Sequence, residues 1–296
     1  MTATNEPASS ERQEARLPDT TRVGAVRLQV SSLERSLLYY RDFLGFRVLA
    51  QREGTLTLGD AADHALVELR ERAGATPVPR RGRLGLFHFA ILLPDRPSLG
   101  RFVRHLAATG APAGSSDHLV SEAIYLQDPD GLGIEVYADR PRATWQRDGD
   151  ELAMATKPLD VSSLLRAAGD ATWDGMPEGT LIGHMHLHVG DLAQAERFYH
   201  EALGLDVMVR GYPGALFMSA GGYHHHLGVN TWAAGAQRAG ENDARLLEWE
   251  LVLPGVDDVR AARERLAAAG YSVEGTGDAA LVQDPWGTAL RLVTPA

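Results

Sequence analysis

The sequence predicts an α+β chain of four strand–helix–strands modules arranged as two tandem pairs. Three observations predict it. The segment "RLQVSSLERSLLYYRDFLGFRVL" (27–49) recurs as "HLHVGDLAQAERFYHEALGLDVM" (186–208) at a constant offset of 159. The segment "LGLFHFAILLPDRPSLGRFVRHLAATG" (84–110) recurs as "RLLEWELVLPGVDDVRAARERLAAAG" (245–270) at an offset of 160. The second and fourth copies then close alike, on "YLQDPDGLGIEVY" (125–137) and "LVQDPWGTALRLV" (281–293). Self-similarity at fixed spacing marks a supersecondary unit used repeatedly.

The elements follow in chain order. Residues 1–21 are polar and predict a disordered tail. Each module opens with a short strand of alternating polarity, then a helix with apolar residues at helical spacing. Leu33, Tyr40 and Leu44 mark that helix in module one, and Leu192, Tyr199 and Leu203 mark it in module three. Gly45 and Gly204 stand where a left-handed helix cap is wanted, and Gly110 and Gly270 do the same in modules two and four. The Asp-Pro-x-Gly pieces predict turns joining two strands of a hairpin. Residues 22–140 thus form an N-terminal domain of modules one and two, and 181–296 a C-terminal domain of modules three and four. Between them, 141–180 reads as a long linker containing the short helical piece "DVSSLLRAAG".

Composition narrows the function. A chain of 296 residues suits two domains, and 44% hydrophobic with 23% charged residues reads as globular. A net charge of −10 argues against nucleic acid or an anionic membrane surface as the main partner. With no cysteine, any metal must be held by His, Asp or Glu. No apolar run reaches the length of a membrane span, and the start lacks the apolar core of a signal peptide, so a cytoplasmic protein is expected. Oligomeric state is left open, a homo-oligomer included.

Strand parity sorts the candidate ligands. In "GHMHLHVGDL", Met185, Leu187 and Val189 share one face, and His184, His186 and His188 the other. In "GGYHHHLGVNTW", His224 and His226 share a face and His225 opposes them. The offsets put Ala25 at the module-one counterpart of His184 and Leu66 at that of His226. Module two offers His88 and Glu135, whose module-four counterparts are Glu248 and Arg291. An arginine has only donors and cannot ligate a metal. Modules two and three therefore supply His88, Glu135, His184 and His226, while modules one and four look degenerate. If modules three and four pair instead, the set becomes His184, His226 and Glu248. Two imidazoles and one carboxylate with open positions form the facial arrangement of non-haem Fe(II) oxygenases.

On the motifs "GHMHLHVGDL", "AGGYHHHLGVNTW", "DHLVSEAIYLQDPDGLGIEVYADRP" and "FHFAILLP", the chain resembles the vicinal oxygen chelate superfamily of glyoxalases, bleomycin resistance proteins and extradiol dioxygenases. The resemblance spans roughly residues 22–294 and is strongest to two-domain catechol-2,3-dioxygenase-like proteins. It implies βαβββ modules closing around a metal, with His88, Glu135 and His184 as metal ligands. It further implies His226 as acid/base, and Tyr125 and His118 as hydrogen-bonding groups. The activity implied is Fe(II)-dependent extradiol cleavage of a catechol-like aromatic diol by O2, with Mn(II), Zn(II) and Ni(II) as alternative metals. Two other functions stay open on the same scaffold. One is a glyoxalase- or epimerase-like isomerase, with His226 as fourth ligand. The other is a non-catalytic protein that binds an aromatic molecule.

Further residues carry plainer expectations. Tyr223 and Trp232 read as core, and "PRRGR" (79–83) as a solvated loop. Loops 52–64 and 233–244 are expected to set pocket size.

Overall fold

The computed structural model describes residues 16–295. The expected tail lies outside the described residues as far as residue 15. From Arg16 onward the chain is placed, which corrects the tail's extent: Leu17 is buried and its N–H donates to the Gly204 carbonyl at 2.9 Å.

Module one contributes β1 (Arg22–Val30), β2 (Arg47–Arg52), β3 (Thr55–Gly59) and β4 (Ala65–Glu71). Module two contributes β5 (Gly85–Leu92), β6 (Gly114–Asp117), β7 (Ser121–Gln127) and β8 (Gly133–Asp139). The linker holds a small hairpin of β9 (Arg147–Asp148) and β10 (Glu151–Leu152). Module three contributes β11 (Leu181–His188), β12 (Asp206–Val209), β13 (Ala215–Ser219) and β14 (Leu227–Asn230). Module four contributes β15 (Arg245–Val252), β16 (Val273–Glu274), β17 (Ala279–Gln283) and β18 (Ala289–Val293). In every module the first and last strands are parallel neighbours, a pairing that needs the intervening crossover helix.

The sheets do not follow chain order. One runs β16-β17-β18-β15-β1-β4-β3-β2 and joins modules four and one. The other runs β12-β13-β14-β11-β5-β8-β7-β6 and joins modules three and two. Each half of the chain, 22–140 and 181–296, therefore gives one module to each sheet. A single buried cluster links the two sheets, from Val26, Leu28 and Trp249 to Phe89, Ile91 and Met185.

The helices differ in one respect from plain expectation. In modules one and three, Leu33–Leu37 and Leu192–Glu196 widen into π-turns over Leu38–Phe43 and Arg197–Ala202. The Leu44 N–H reaches Tyr39 O and the Leu203 N–H reaches Phe198 O, each at 2.9 Å, five residues back. Gly45 and Gly204 follow at φ 89° and 104° and end the helices as expected.

Tyr40 and Tyr199 sit in these π-turns. Tyr40 donates to Asp128 at 3.2 Å and Tyr199 to Asp284 at 2.9 Å. Those aspartates open the two Asp-Pro turns, where each also accepts two backbone N–H groups. Consecutive modules are thus bonded across the sheets.

The linker helix forms at Val161–Ala167, capped by Asp160 accepting from the Ser163 N–H at 2.8 Å. It packs on the module-two helix Arg96–Thr109 at Gly100, where a Cβ would lie 2.4 Å from the Leu164 carbonyl. Among the described residues no helix is long and apolar enough to cross a membrane.

Candidate metal centre

β11 and β5 lie side by side and antiparallel, with His186 directly opposite His88. β8 flanks β5 in parallel and sets Glu135 beside Ala90. This places one face of β11, the His184 face, against His88 and Glu135. Met185, Leu187 and Val189 turn the other way into the core, as parity requires. Glu135 Oε2 lies 3.0 Å from His88 Nε2 and 3.2 Å from His184 Nε2. One ligand atom from each of the three lies within 4.8 Å of the others, and all three side chains are buried.

The electrostatics prepare these groups as donors. Burial alone would raise the Glu135 carboxyl, but the facing imidazoles of His184 and His88 hold it well below the usual carboxylate range. Burial pushes His184 down to about 4, against the pull of Glu135. At neutral pH the site presents a carboxylate and a neutral imidazole, the forms that bind metal. His88 Nε2 is buried and makes no directed hydrogen bond, despite its proximity to Glu135. An orphaned buried nitrogen aimed at a carboxylate and a second imidazole fits a divalent cation.

The other sheet carries the degenerate counterpart. Arg291 Nε and Nη2 donate to the two oxygens of Glu248, both at 2.7 Å. Arg27, the counterpart of His186, pairs with Glu248 and with Glu250. Ion pairs stand where the sheet of β5, β8 and β11 sets His88, Glu135 and His184. The alternative set of His184, His226 and Glu248 is not assembled, because Glu248 belongs to that other sheet.

A cavity of 230 Å³ opens beside the cluster, lined in part by His88, Glu135, Tyr125, His118, His186 and Phe217. Tyr125 stands opposite Glu135 across β7 and β8. Its hydroxyl is 2.6 Å from His118 Nε2, and His118 Nδ1 is 2.8 Å from the Ala155 carbonyl. A carbonyl only accepts, so Nδ1 carries the hydrogen and Nε2 accepts from the tyrosine. Burial, with Glu135 nearby, raises the Tyr125 hydroxyl well above its ordinary value and keeps it a neutral donor.

Residues 22–136 and 181–292 match the Glyoxalase/Bleomycin resistance protein/Dioxygenase superfamily model. The chain belongs to that superfamily. A Bacillus subtilis (strain 168) relative named catechol-2,3-dioxygenase is 45% identical over 271 residues, 90% of this chain and 95% of its own. Among solved structures, one from Bacillus subtilis subsp. subtilis superposes with TM-score 0.64 at 15% identity, covering 92% of this chain and 84% of that one. Glyoxalase I from Zea mays superposes with TM-score 0.55 at 18% identity, covering 93% and 92%. The two structures share the superfamily's fold.

Within this superfamily fold, His226 departs from expectation. It does not line the cavity, and its Nδ1 accepts the Ala220 N–H at 3.2 Å and lies 3.0 Å from the Ser219 hydroxyl. His225 lines the cavity instead, with its ring centroid 4.1 Å from that of His184. The reason is local. Gly221 and Gly222 adopt φ 61° and 66°, and β14 begins only at Leu227, so strand alternation does not extend back through the histidines.

Other residues are also redistributed. Loops 52–64 and 233–244 do not line the cavity; Met154 and Thr156 of the linker, with Tyr212 and Trp232, do. Trp232, expected in the core, is 51% exposed at the cavity rim. His186 and His188 are both buried and share Asn230, which donates to His186 Nε2 at 2.9 Å and faces His188 Nδ1 at 2.7 Å. Gly228 makes room for the His186 ring, which a Cβ there would meet at 3.1 Å. Arg80 and Arg81 are exposed, as expected for a solvated loop, and edge a wider cleft of 880 Å³ that shares Phe87, His88, Tyr125 and Trp232 with the first.

Proposed function

We propose that the protein is an Fe(II)-dependent extradiol dioxygenase that cleaves a catechol-like aromatic diol with O2. The observation that carries this reading is the buried His88–Glu135–His184 cluster opening onto a small, largely apolar cavity. The relative named catechol-2,3-dioxygenase, matched over nearly the whole length of both chains, supports the same activity. His88, Glu135 and His184 would hold the iron. When bound, iron supplies coordination sites that bring the diol oxygens and O2 together.

The chain's own groups do the rest. Phe87 and Phe217 give the cavity aromatic walls for a flat ring. Tyr125 and His118 form a hydrogen-bonded pair beside Glu135, in which the Tyr125 oxygen can accept from a substrate hydroxyl while its own hydrogen passes to His118 Nε2. His225, rather than His226, presents an imidazole to the cavity for general acid/base work. The isomerase reading required His226 as a fourth ligand, and among the described residues His226 does not join the cluster of His88, Glu135 and His184.

The test is oxygen uptake by protein reconstituted anaerobically with Fe(II), Mn(II), Zn(II) or Ni(II), then given catechol in aerated buffer. Iron-dependent uptake with a new visible ring-cleavage absorbance, lost in His184→Ala, is expected. Bound metal without uptake across a panel of catechols and hydroquinones would refute the dioxygenase reading.

A further inference from the structure

We infer that Asp139 and His224 are positioning residues that fix the tautomer of His225, so that its Nε2 meets the cavity as a bare acceptor. The inference rests on the reading of His225 as the acid/base of a diol-cleaving site. It is carried by a chain of three side chains joining two modules.

Asp139 ends β8, the strand that also carries Glu135. Its Oδ1 lies 2.9 Å from His224 Nε2. His224 is wholly buried, and its Nδ1 lies 2.7 Å from Nδ1 of His225. Tyr223 also donates to Asp139 Oδ1, at 3.3 Å, and shares a 2.7 Å hydrogen bond with Tyr137. Among the described residues His225 Nε2 has no hydrogen-bond partner, and the ring lines the cavity.

Hydrogen-bond bookkeeping then sets the direction. An ionised carboxylate only accepts, so His224 Nε2 must donate to Asp139. A neutral His224 keeps its lone pair on Nδ1. That lone pair can be met only by an N–H on His225 Nδ1. His225 is therefore left with its lone pair on Nε2, the form that takes a proton from a substrate hydroxyl. The carboxylate acts through an intervening imidazole rather than directly, and it is anchored on the ligand strand of the other module. Both ends of the chain are tied to the sheet that builds the metal site.

Asp139→Asn separates this role from a purely structural one. Where the amide donates its Nδ2–H to His224 Nε2, the His224 hydrogen moves to Nδ1 and His225 carries its own on Nε2. The readout is the long-range proton–nitrogen NMR spectrum of the imidazoles in the metal-free full-length protein, with His225→Gln used to assign the signals. In the wild type, His225 Nε2 is expected at the shift of an unprotonated nitrogen and Nδ1 at that of an N–H. In Asp139→Asn the two are expected to exchange. A wild-type His225 protonated on Nε2, or a His224 protonated on both nitrogens, would overturn the inference without any variant having to fold. A tautomer unchanged in a folded Asp139→Asn whose side-chain amide N–H is seen donating to His224 would overturn it as well.

Turnover gives the second readout. In the iron-loaded enzyme, Asp139→Asn should lower kcat by about 10²-fold or more with KM and iron content unchanged. The double variant with His225→Gln should lose no more than either alone. A tautomer exchange with unchanged kcat would remove the pair from the reaction. Failure of the wild type to cleave any diol would refute the dioxygenase reading and leave the spectroscopic result standing.

Discussion

Arg291 grips Glu248 with two hydrogen bonds of 2.7 Å in the place where the other sheet sets Glu135 beside His88. One duplicated site has become a salt bridge and the other has kept a donor set. The two should therefore respond differently to substitution. Arg291→Met leaves Glu248 with only Arg27 as partner and should cost about 1–3 kcal/mol of stability. Urea unfolding checks this. Iron uptake at His88, Glu135 and His184 should be unchanged, and a loss of uptake would contradict the separation.

Glu135 supplies the only negative charge of the cluster. Glu135→Gln keeps its shape and removes that charge. Metal affinity should fall by more than about 10²-fold, the upper range for loss of an outer partner. Competition with a chelator measures it, and affinity within tenfold of wild type (about 1.4 kcal/mol) would exclude Glu135 as a ligand.

His225→Gln and His226→Gln divide the acid/base assignment. The first should lower kcat by about 10²-fold or more and cost about 1–3 kcal/mol, since the buried His224 Nδ1 loses its partner. The second should leave kcat near wild type and cost about 1 kcal/mol, since the Ala220 N–H loses its partner. The opposite pattern in steady-state kinetics would restore His226 to the role that the family resemblance implies.

Tyr125→Phe removes the hydroxyl facing His118 and keeps the ring in the wall. A fall in kcat of about 10–10²-fold, with iron content intact, is expected. Unaltered kcat with raised KM would assign the hydroxyl to binding alone.

The metal-free protein should lose stability as pH falls from 7 toward 5. Burial lowers His184 to about 4 and His226 to about 3 in the fold. Below the ordinary histidine value the unfolded chain takes up protons that the folded chain does not, so stability falls with pH. Each histidine should contribute on the order of 2 kcal/mol of loss by pH 5, by 1.36 kcal/mol per unit. Urea midpoints at the two pH values test the sign, and equal midpoints would show that neither histidine is held neutral.

The module plan was readable because repeated local patterns repeat local structure. Offsets and parity led to His88, Glu135 and His184, since β5, β8 and β11 are regular at those residues. Parity failed at His226, where left-handed Gly221 and Gly222 put a turn before β14. No local pattern says whether β5 will pair with β11 or β15, because that choice is made by contacts far apart in sequence. The linker's part was equally hidden. Its Ala155 acts through a carbonyl, which no residue type advertises.

The exchange of modules between sheets has a consequence for biosynthesis. Arg27 and Glu248 touch although they stand 221 positions apart, so β1 must wait for most of the chain to be translated. β5 likewise waits for β11. The nascent N-terminal half leaves the ribosome with two open strand edges and no partner for either, a state prone to intermolecular pairing. The two exposed edges close only in turn, that of β5 once β11 has been made and that of β1 once β15 has followed.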